Sequence, residues 1–279
     1  MSKGVLYVVA TPMGNLDDVT YRAVRVLREV DLIAAEDTRH TRLLLERFDI
    51  RTSLLALHEH NEYKRMGLLL EKLHAGLTLA LVSDAGTPLI SDPGFPLVRE
   101  ATRQAIKVVP IPGPCAAICA LSAAGLPTDR FLFAGFPPRQ SAQRLRWLEG
   151  LAQQAATLVF YESSHRILAT LTDMLKVFGE TREAVVAREL TKIHETFLHG
   201  SLGGVLQQIT DDPNQRRGEF VLIIHGRMQQ TDDQITLEME TLLQVLSGEM
   251  PVKQAANLVA RLSGQKKNDL YQRIIKFKD

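Results

Sequence analysis

The chain has 279 residues, 45% of them hydrophobic and 23% charged, with 33 Lys plus Arg against 32 Asp plus Glu for a formal net charge of +1. That composition excludes disordered and fibrous classes, and the charge balance excludes a global pull toward nucleic acid or membrane, so a charged partner has to be recognised locally. The length predicts about two domains with sizeable cores, beside a small appendage.

No apolar run approaches the ~20 residues needed to cross a bilayer. The short apolar stretch after Met1-Ser2-Lys3 runs into Thr11-Pro12-Met13-Gly14-Asn15 rather than a small-residue cleavage site, so the expected location is cytoplasmic. Up to residue 112, β-rich runs at Val5 to Ala10, Leu32 to Ala35, Leu54 to Leu57, Leu79 to Val82 and Val108 to Ile111 alternate with helical patterns such as Val19 to Val30 and Met66 to Leu73. This is the pattern of βαβ units and a mostly parallel sheet. The cluster Pro112 to Pro114 marks a hinge and opens a small-residue helix, Cys115 to Ala124, in which both cysteines read as core with no metal-ligand spacing.

Strands resume at Phe131 to Gly135, Thr157 to Tyr161, Ala184 to Arg188, Thr196 to His199 and Phe220 to Ile224, predicting a second α/β domain over 113–230 after a first over 1–112. Between them, Arg139, Arg144 and Arg146 form a basic cluster, either a solvated helix face or a phosphate contact. After a polar stretch at Gly226 to Asp233, residues 231–279 read as three helices, Ile235 to Leu246, Val252 to Leu262 and Asn268 to Phe277, broken at Gly248 to Pro251 and at Gly264. Lys266 and Lys267 lead into the last one, a spacing that fits a helix-turn-helix as well as a helical cap or dimerisation element.

In open parallel sheets, ligands collect at the loops that leave the carboxyl ends of the strands. Dinucleotide, Walker, nucleophile-elbow and zinc-helix signatures are all missing from these loops. Gly14 permits close backbone approach, and Glu36-Asp37-Thr38-Arg39-His40 crowds acids and cations at a strand end where Asp37 or Thr38 also suits a helix cap. The loop Ser83 to Gly94 is small and acidic, so backbone groups can face a ligand while Asp84 or Asp92 accepts from hydroxyl or amino groups. In the second domain, Tyr161 to Arg166 and Arg188 to Lys192 end strands with polar residues. There Ser163 or Ser164 suits an N-cap, and His165 with Arg166 suits a phosphate.

These loops, in this order, resemble those of the tetrapyrrole-methylase-like methyltransferases, and within them the subgroup of bacterial 16S ribosomal RNA (cytidine 2′-O) methyltransferases, over the whole chain including the C-terminal unit. The resemblance implies two α/β domains with a cleft between them, S-adenosylmethionine folded into the cleft, usually a homodimer, and a decoding-centre cytidine of 16S ribosomal RNA, within the small subunit, as substrate. It implies cofactor contacts from Pro12 and Gly14, from Ser83, Asp84, Ala85, Gly86 and Pro88, from Ala116, and from Tyr161, Glu162 and Ala187. The first loop, Val9-Ala10-Thr11-Pro12-Met13-Gly14-Asn15, departs from the V-G-A-G-P-G of corrin and sirohaem methylases, which counts against a tetrapyrrole substrate.

Strand-end position and chemistry make Asp37 or Glu162 the expected base for a ribose hydroxyl, with Arg39 and Lys192 orienting phosphate or stabilising the oxygen. RNA contacts are expected from Arg139, Arg144, Arg146, His165, Arg166, Arg216, Arg217, Lys266 and Lys267, with no metal. The competing readings are a tetrapyrrole or protein-side-chain methyltransferase and a nucleic-acid-binding regulator.

Overall fold

The structure, a computed structural model, describes residues 4–227 and 233–278. Met1 to Lys3, the boundary expected at 230/231 and most of the polar stretch at Gly226 to Asp233 lie outside those residues. The chain divides into two compact units, residues 1–227 and 228–279.

In the first unit, β1 (Val5–Val9), β2 (Leu32–Ala35), β3 (Leu54–Ala56), β4 (Leu79–Val82) and β5 (Lys107–Ile111) form a parallel sheet in the order β3-β2-β4-β1-β5. The crossovers are α1 (Tyr21–Glu29), α2 (Thr38–Arg47), α3 (Glu62–His74) and α4 (Phe95–Arg103). Alternation along β4 decides which helix meets which face: Ala80 and Val82 pack with Leu27 of α1 and Leu44 of α2, and Leu79 and Leu81 with Leu69 of α3 and Leu97 of α4. Helix α3 starts four residues before the apolar pattern does, because Glu62 is buried and its carboxylate accepts from the Gly94 amide at 3.0 Å. Periodicity of apolar residues carries no trace of that bond.

The sheet places the loops after β1 and β4 side by side. These strands are neighbours, yet their onward helices, α1 and α4, pack on opposite faces of the sheet, the circumstance that opens a crevice at the strand ends. Thr11 and Gly86 join the two loops by reciprocal backbone hydrogen bonds of 2.8 and 3.0 Å.

The chain continues through α5 (Ala116–Ala124), β6 (Phe131–Gly135), α6 (Ser141–Glu149), β7 (Thr157–Ser163), α7 (Ile167–Phe178), β8 (Glu183–Arg188), β9 (Thr196–Ser201), α8 (Leu202–Asp211) and β10 (Glu219–Ile224). Its sheet has the order β6-β7-β10-β8-β9, with β6 and β7 parallel and the other pairs antiparallel. Helices α6, α7 and α8 cover one face through Leu148, Leu171 and Val205. Among the described helices, α5 alone packs on the other, against Val159, Val185, Ala187 and Val221, and part of that face lines a cleft.

Two expectations change here. Cys115 and Cys119 are half-buried rather than core, since Cys115 holds the N-cap position of α5 at the cleft wall. Arg144 is neither on a solvated face nor free for phosphate: its side chain is 3% exposed and donates to Asp173 at 2.6 and 3.0 Å and to the carbonyls of Pro138 and Arg139. Arg139 and Arg146 remain exposed.

The second unit is helical: α9 (Asp233–Glu249), α10 (Val252–Ser263) and α11 (Lys267–Lys278), around Leu243, Ala255, Val259, Leu270 and Ile274. Helix α9 runs through Gly248, where a break was expected, and the break falls at Met250-Pro251 because proline cannot continue a helix. Gly264, at φ 71°, ends α10 as expected of a left-handed cap.

Candidate active site

The cleft lies between the strand-end loops of the two sheets and encloses about 380 Å³. From the first sheet come Met13, Gly86 and Asp92; from α5 come Cys115 and Ala116; from the second sheet come Tyr161 and Val221. The wall loop after β4 is held in an uncommon backbone state, with Leu89 at φ 73° and Ser91 at φ 70°. Non-glycine residues there store strain, which collects at ligand sites.

Tyr161 organises the opposite wall. Its ring meets Phe133 edge-on at 4.8 Å and Phe136 at 5.6 Å, and its hydroxyl accepts from the Ala117 amide in the first turn of α5 at 3.1 Å. Burial pushes its phenol up, so it stays neutral and keeps its proton. Across from it, burial raises the Asp92 carboxyl to about 6, with Glu36 and Asp84 adding repulsion and the Ser83 hydroxyl opposing.

The named candidates separate into groups. Ala85, Gly86, Ala116, Tyr161 and Glu162 line the cleft. Pro12, Gly14, Ser83, Asp84 and again Ala85 line a smaller adjoining cavity. Pro88 and Ala187 are buried and line neither. Lys192 reaches across to the first loop, where a Cβ on Gly14 would stand 2.3 Å from its Cγ.

The four residues assigned to catalysis are otherwise engaged. Glu162 is no free base: its side chain is fully buried, accepting from the Thr170 hydroxyl at 2.6 Å, from its neighbour Ser163 at 2.8 Å, and pairing with Arg166 at 3.2 Å. Asp37 caps α2 through the Arg39 amide and is clamped by the Arg39 guanidinium at 2.6 Å, which holds its carboxyl well below the usual carboxylate range. The pair lines an exposed depression beside His58 and His60, and neither residue is among those lining the cleft. Lys192 is tied to Glu189 at 3.0 Å and Glu219 at 2.9 Å; burial opposes its charge, but those bonds push the ammonium up.

Among the expected RNA contacts, Arg166 is turned inward onto the carbonyls of Pro137 and Pro138, and Arg216 onto those of Ile209 and Thr210, so neither guanidinium is free for phosphate. His165 and Arg217 are exposed. In the second unit, Lys266 is exposed and Lys267 half-buried at the turn into α11. Neither Ser163 nor Ser164 caps α7; Arg166 holds that position. Sequence reasoning passed over Phe136, Leu190 and Gly218, and the signal present was a lone aromatic just past β6 and a glycine just before β10.

Residues 5–206 match the family model "Tetrapyrrole (Corrin/Porphyrin) Methylases". The chain belongs to the tetrapyrrole methylase family. Residues 233–278 of this tetrapyrrole methylase match a second model, "RsmI C-terminal HTH domain". It is 52% identical to Ribosomal RNA small subunit methyltransferase I of Pasteurella multocida, over 96% of each chain. With the protein of the same name from Escherichia coli O157:H7 it shares 53%, over 97% of this chain and 94% of that one. Among solved structures, uroporphyrin-III C-methyl transferase from Thermus thermophilus, complexed with S-adenyl homocysteine, matches 80% of this chain and 97% of its own at 19% identity and TM-score 0.55. Diphthine synthase matches 80% and 90% at 14% identity and TM-score 0.60. At those identities the structures carry the fold alone, and they agree with the α/β architecture of two sheets described above.

Proposed function

We propose that this tetrapyrrole methylase transfers a methyl group from S-adenosylmethionine to the ribose 2′-hydroxyl of a cytidine in the decoding centre of 16S ribosomal RNA. The observation that carries the reading is the identity above 50%, running through the C-terminal unit, to proteins named for methylation of small-subunit ribosomal RNA. The cleft fits the cofactor in two respects: its volume suits a folded nucleoside, and its wall presents the aromatic rings of Tyr161 and Phe136.

When bound, S-adenosylmethionine supplies a methyl group already made electrophilic by its sulfonium. What the protein adds is mainly geometry, since holding a hydroxyl in line with that methyl in a dry cleft is worth ~7 to 11 kcal/mol. Tyr161 and the start of α5 at Ala116 form one wall, and the strained loop around Gly86 forms the other. Asp92 takes the role first given to Asp37 and Glu162: its carboxylate, ionised at neutral pH, would receive the hydroxyl proton. A positioned base of this kind contributes ~10² to 10⁴ in rate. Lys192, fixed by Glu189 and Glu219, positions the Gly14 loop. Arg139, Arg146, His165, Arg217, Lys266 and Lys267 supply phosphate contacts.

In this reading the domains are 1–112, 113–230 and 231–279, and the enzyme works in the cytoplasm as a homodimer. The exposed Ile118 of α5 and Phe131 and Leu132 of β6 are the kind of apolar side chains that a dimer contact covers. The test is transfer of labelled methyl to small ribosomal subunits lacking the modification, with free RNA and a tetrapyrrole in parallel. Label in an alkali-resistant dinucleotide supports the reading, because a blocked 2′-oxygen cannot attack its neighbouring phosphate. Label in a mononucleotide would indicate base methylation, and label in the tetrapyrrole alone would replace the substrate.

A further inference from the structure

Beside the cleft lies the second cavity, of about 220 Å³, whose lining includes Pro12, Gly14, Ser83 and Asp84, expected above to contact the cofactor. Its walls come from the loops after β1 and β4 and from the first half of α2. Met13 and Ala85 line both hollows, so the two adjoin there.

Three features point to a polar occupant. The Thr41 side chain lines the cavity, is 4% exposed on α2, and its hydroxyl is buried with no hydrogen-bond partner among the described residues. Such a group calls for a partner that the protein does not supply. Asp84 accepts from the Asp37 amide at 2.9 Å through one carboxylate oxygen, leaving the other to accept from a ligand. The exposed His40 lines the cavity and the exposed Arg42 of α2 lies beside it, which favours phosphate at the rim.

We propose, resting on the reading of the chain as an RNA ribose methyltransferase, that this cavity seats the target nucleoside, turned out of the RNA, with its flanking phosphates along α2. A volume of 220 Å³ holds one nucleoside and no tetrapyrrole macrocycle. Where the hollows adjoin, at Met13 and Ala85, the ribose 2′-hydroxyl points from this cavity into the cleft, toward the methyl donor and Asp92. The Asp84 carboxylate selects a base with an exocyclic amine, as in cytosine, over uracil, whose carbonyl oxygen would face it. Extrusion of a nucleotide into a fitted pocket with recognition along its base edge is a general device of enzymes that act on nucleic acids.

The test uses the full-length protein, with small subunits lacking the modification as substrate and S-adenosylhomocysteine as the cofactor probe. Leu43 is 63% exposed at the cavity wall, so Leu43→Trp obstructs the cavity without disturbing the core. Thr41→Val removes the hydroxyl and keeps the shape. The expected result is a kcat/KM at least tenfold lower for Leu43→Trp and several-fold lower for Thr41→Val, each with S-adenosylhomocysteine affinity within twofold of the unmodified protein. Wild-type transfer by both variants would overturn the proposal, and so would a loss of S-adenosylhomocysteine affinity matching the loss of transfer, since the cavity would then belong to the cofactor. Absence of RNA methylation by the unmodified protein would defeat the underlying reading instead, and is seen before any variant is made.

Discussion

Gly14 and Lys192 touch across the cleft: the backbone of the first-sheet loop lies so close to the lysine stem that a Cβ at residue 14 would come within 2.3 Å of Cγ and 3.1 Å of the Thr191 hydroxyl. The lysine cannot simply swing aside, because Glu189 and Glu219 hold its ammonium. The loops of the two halves are thus keyed together by the absence of one methyl group.

Gly14→Ala is therefore expected to push Lys192 off its carboxylates and widen the cleft, weakening S-adenosylhomocysteine binding several-fold while the chain still folds. Lys192→Ala in the same chain removes the obstruction. Calorimetric titration of the single and double variants should give a coupling on the order of 1 kcal/mol; strictly additive losses would mean that the contact has no bearing on the cofactor.

Arg144 and Asp173, 3% and 4% exposed, form a buried ion pair with Ser141 at 2.7 Å as a further donor. Removing Arg144 leaves the buried Asp173 carboxylate with Ser141 and the more exposed Lys176 at 3.0 Å, so Arg144→Ala should lower stability by ~3 kcal/mol, the low end for a broken buried pair, in urea denaturation. RNA affinity of the folded protein should not change. A stable Arg144→Ala variant that has lost RNA binding would restore the phosphate role.

The Asp92 carboxyl, raised to about 6 by burial, sets an expected pH dependence in two observables. Its ionised fraction falls as pH drops through 6, so kcat/KM should decline on that acid limb, and Asp92→Asn should be slower by ~10² to 10⁴ with the limb abolished. For stability the sign is opposite: the folded state binds this proton more tightly than the unfolded chain, so the contribution is present below about 4 and is lost as pH rises to about 6. Denaturation curves of Asp92→Asn across that window should show a flatter pH profile, and an unchanged one would place the carboxyl in water.

Lys266 and Lys267 sit together at the turn into α11. If both contact phosphate, Lys266→Gln with Lys267→Gln should reduce the slope of log K against log salt by about 2 for RNA binding, and leave S-adenosylhomocysteine affinity as it was. An unaltered slope would leave the helical unit with a structural role.

What the sequence determined by itself was everything encoded locally. Strand positions followed from apolar runs bounded by turn residues, so Leu79 to Val82 could be read directly. The loops that carry the family resemblance were visible because Gly14, Ser83 to Pro88 and Pro112 to Pro114 are contiguous and chemically unusual. Tertiary structure alone decided which charged side chains are available. Arg144 is satisfied by Asp173, Glu162 by Thr170 and Arg166, Lys192 by Glu219 and Arg216 by the carbonyls of α8, and in each case a partner lies outside the residue's own element. Periodicity reports burial only for apolar residues, since a charged residue in the same register is buried only if a complementary charge arrives from elsewhere. The second cavity was hidden for the same reason: Thr41, Asp84 and Gly14 are far apart in the chain and meet only because β1, β2 and β4 release their loops at one end of the first sheet.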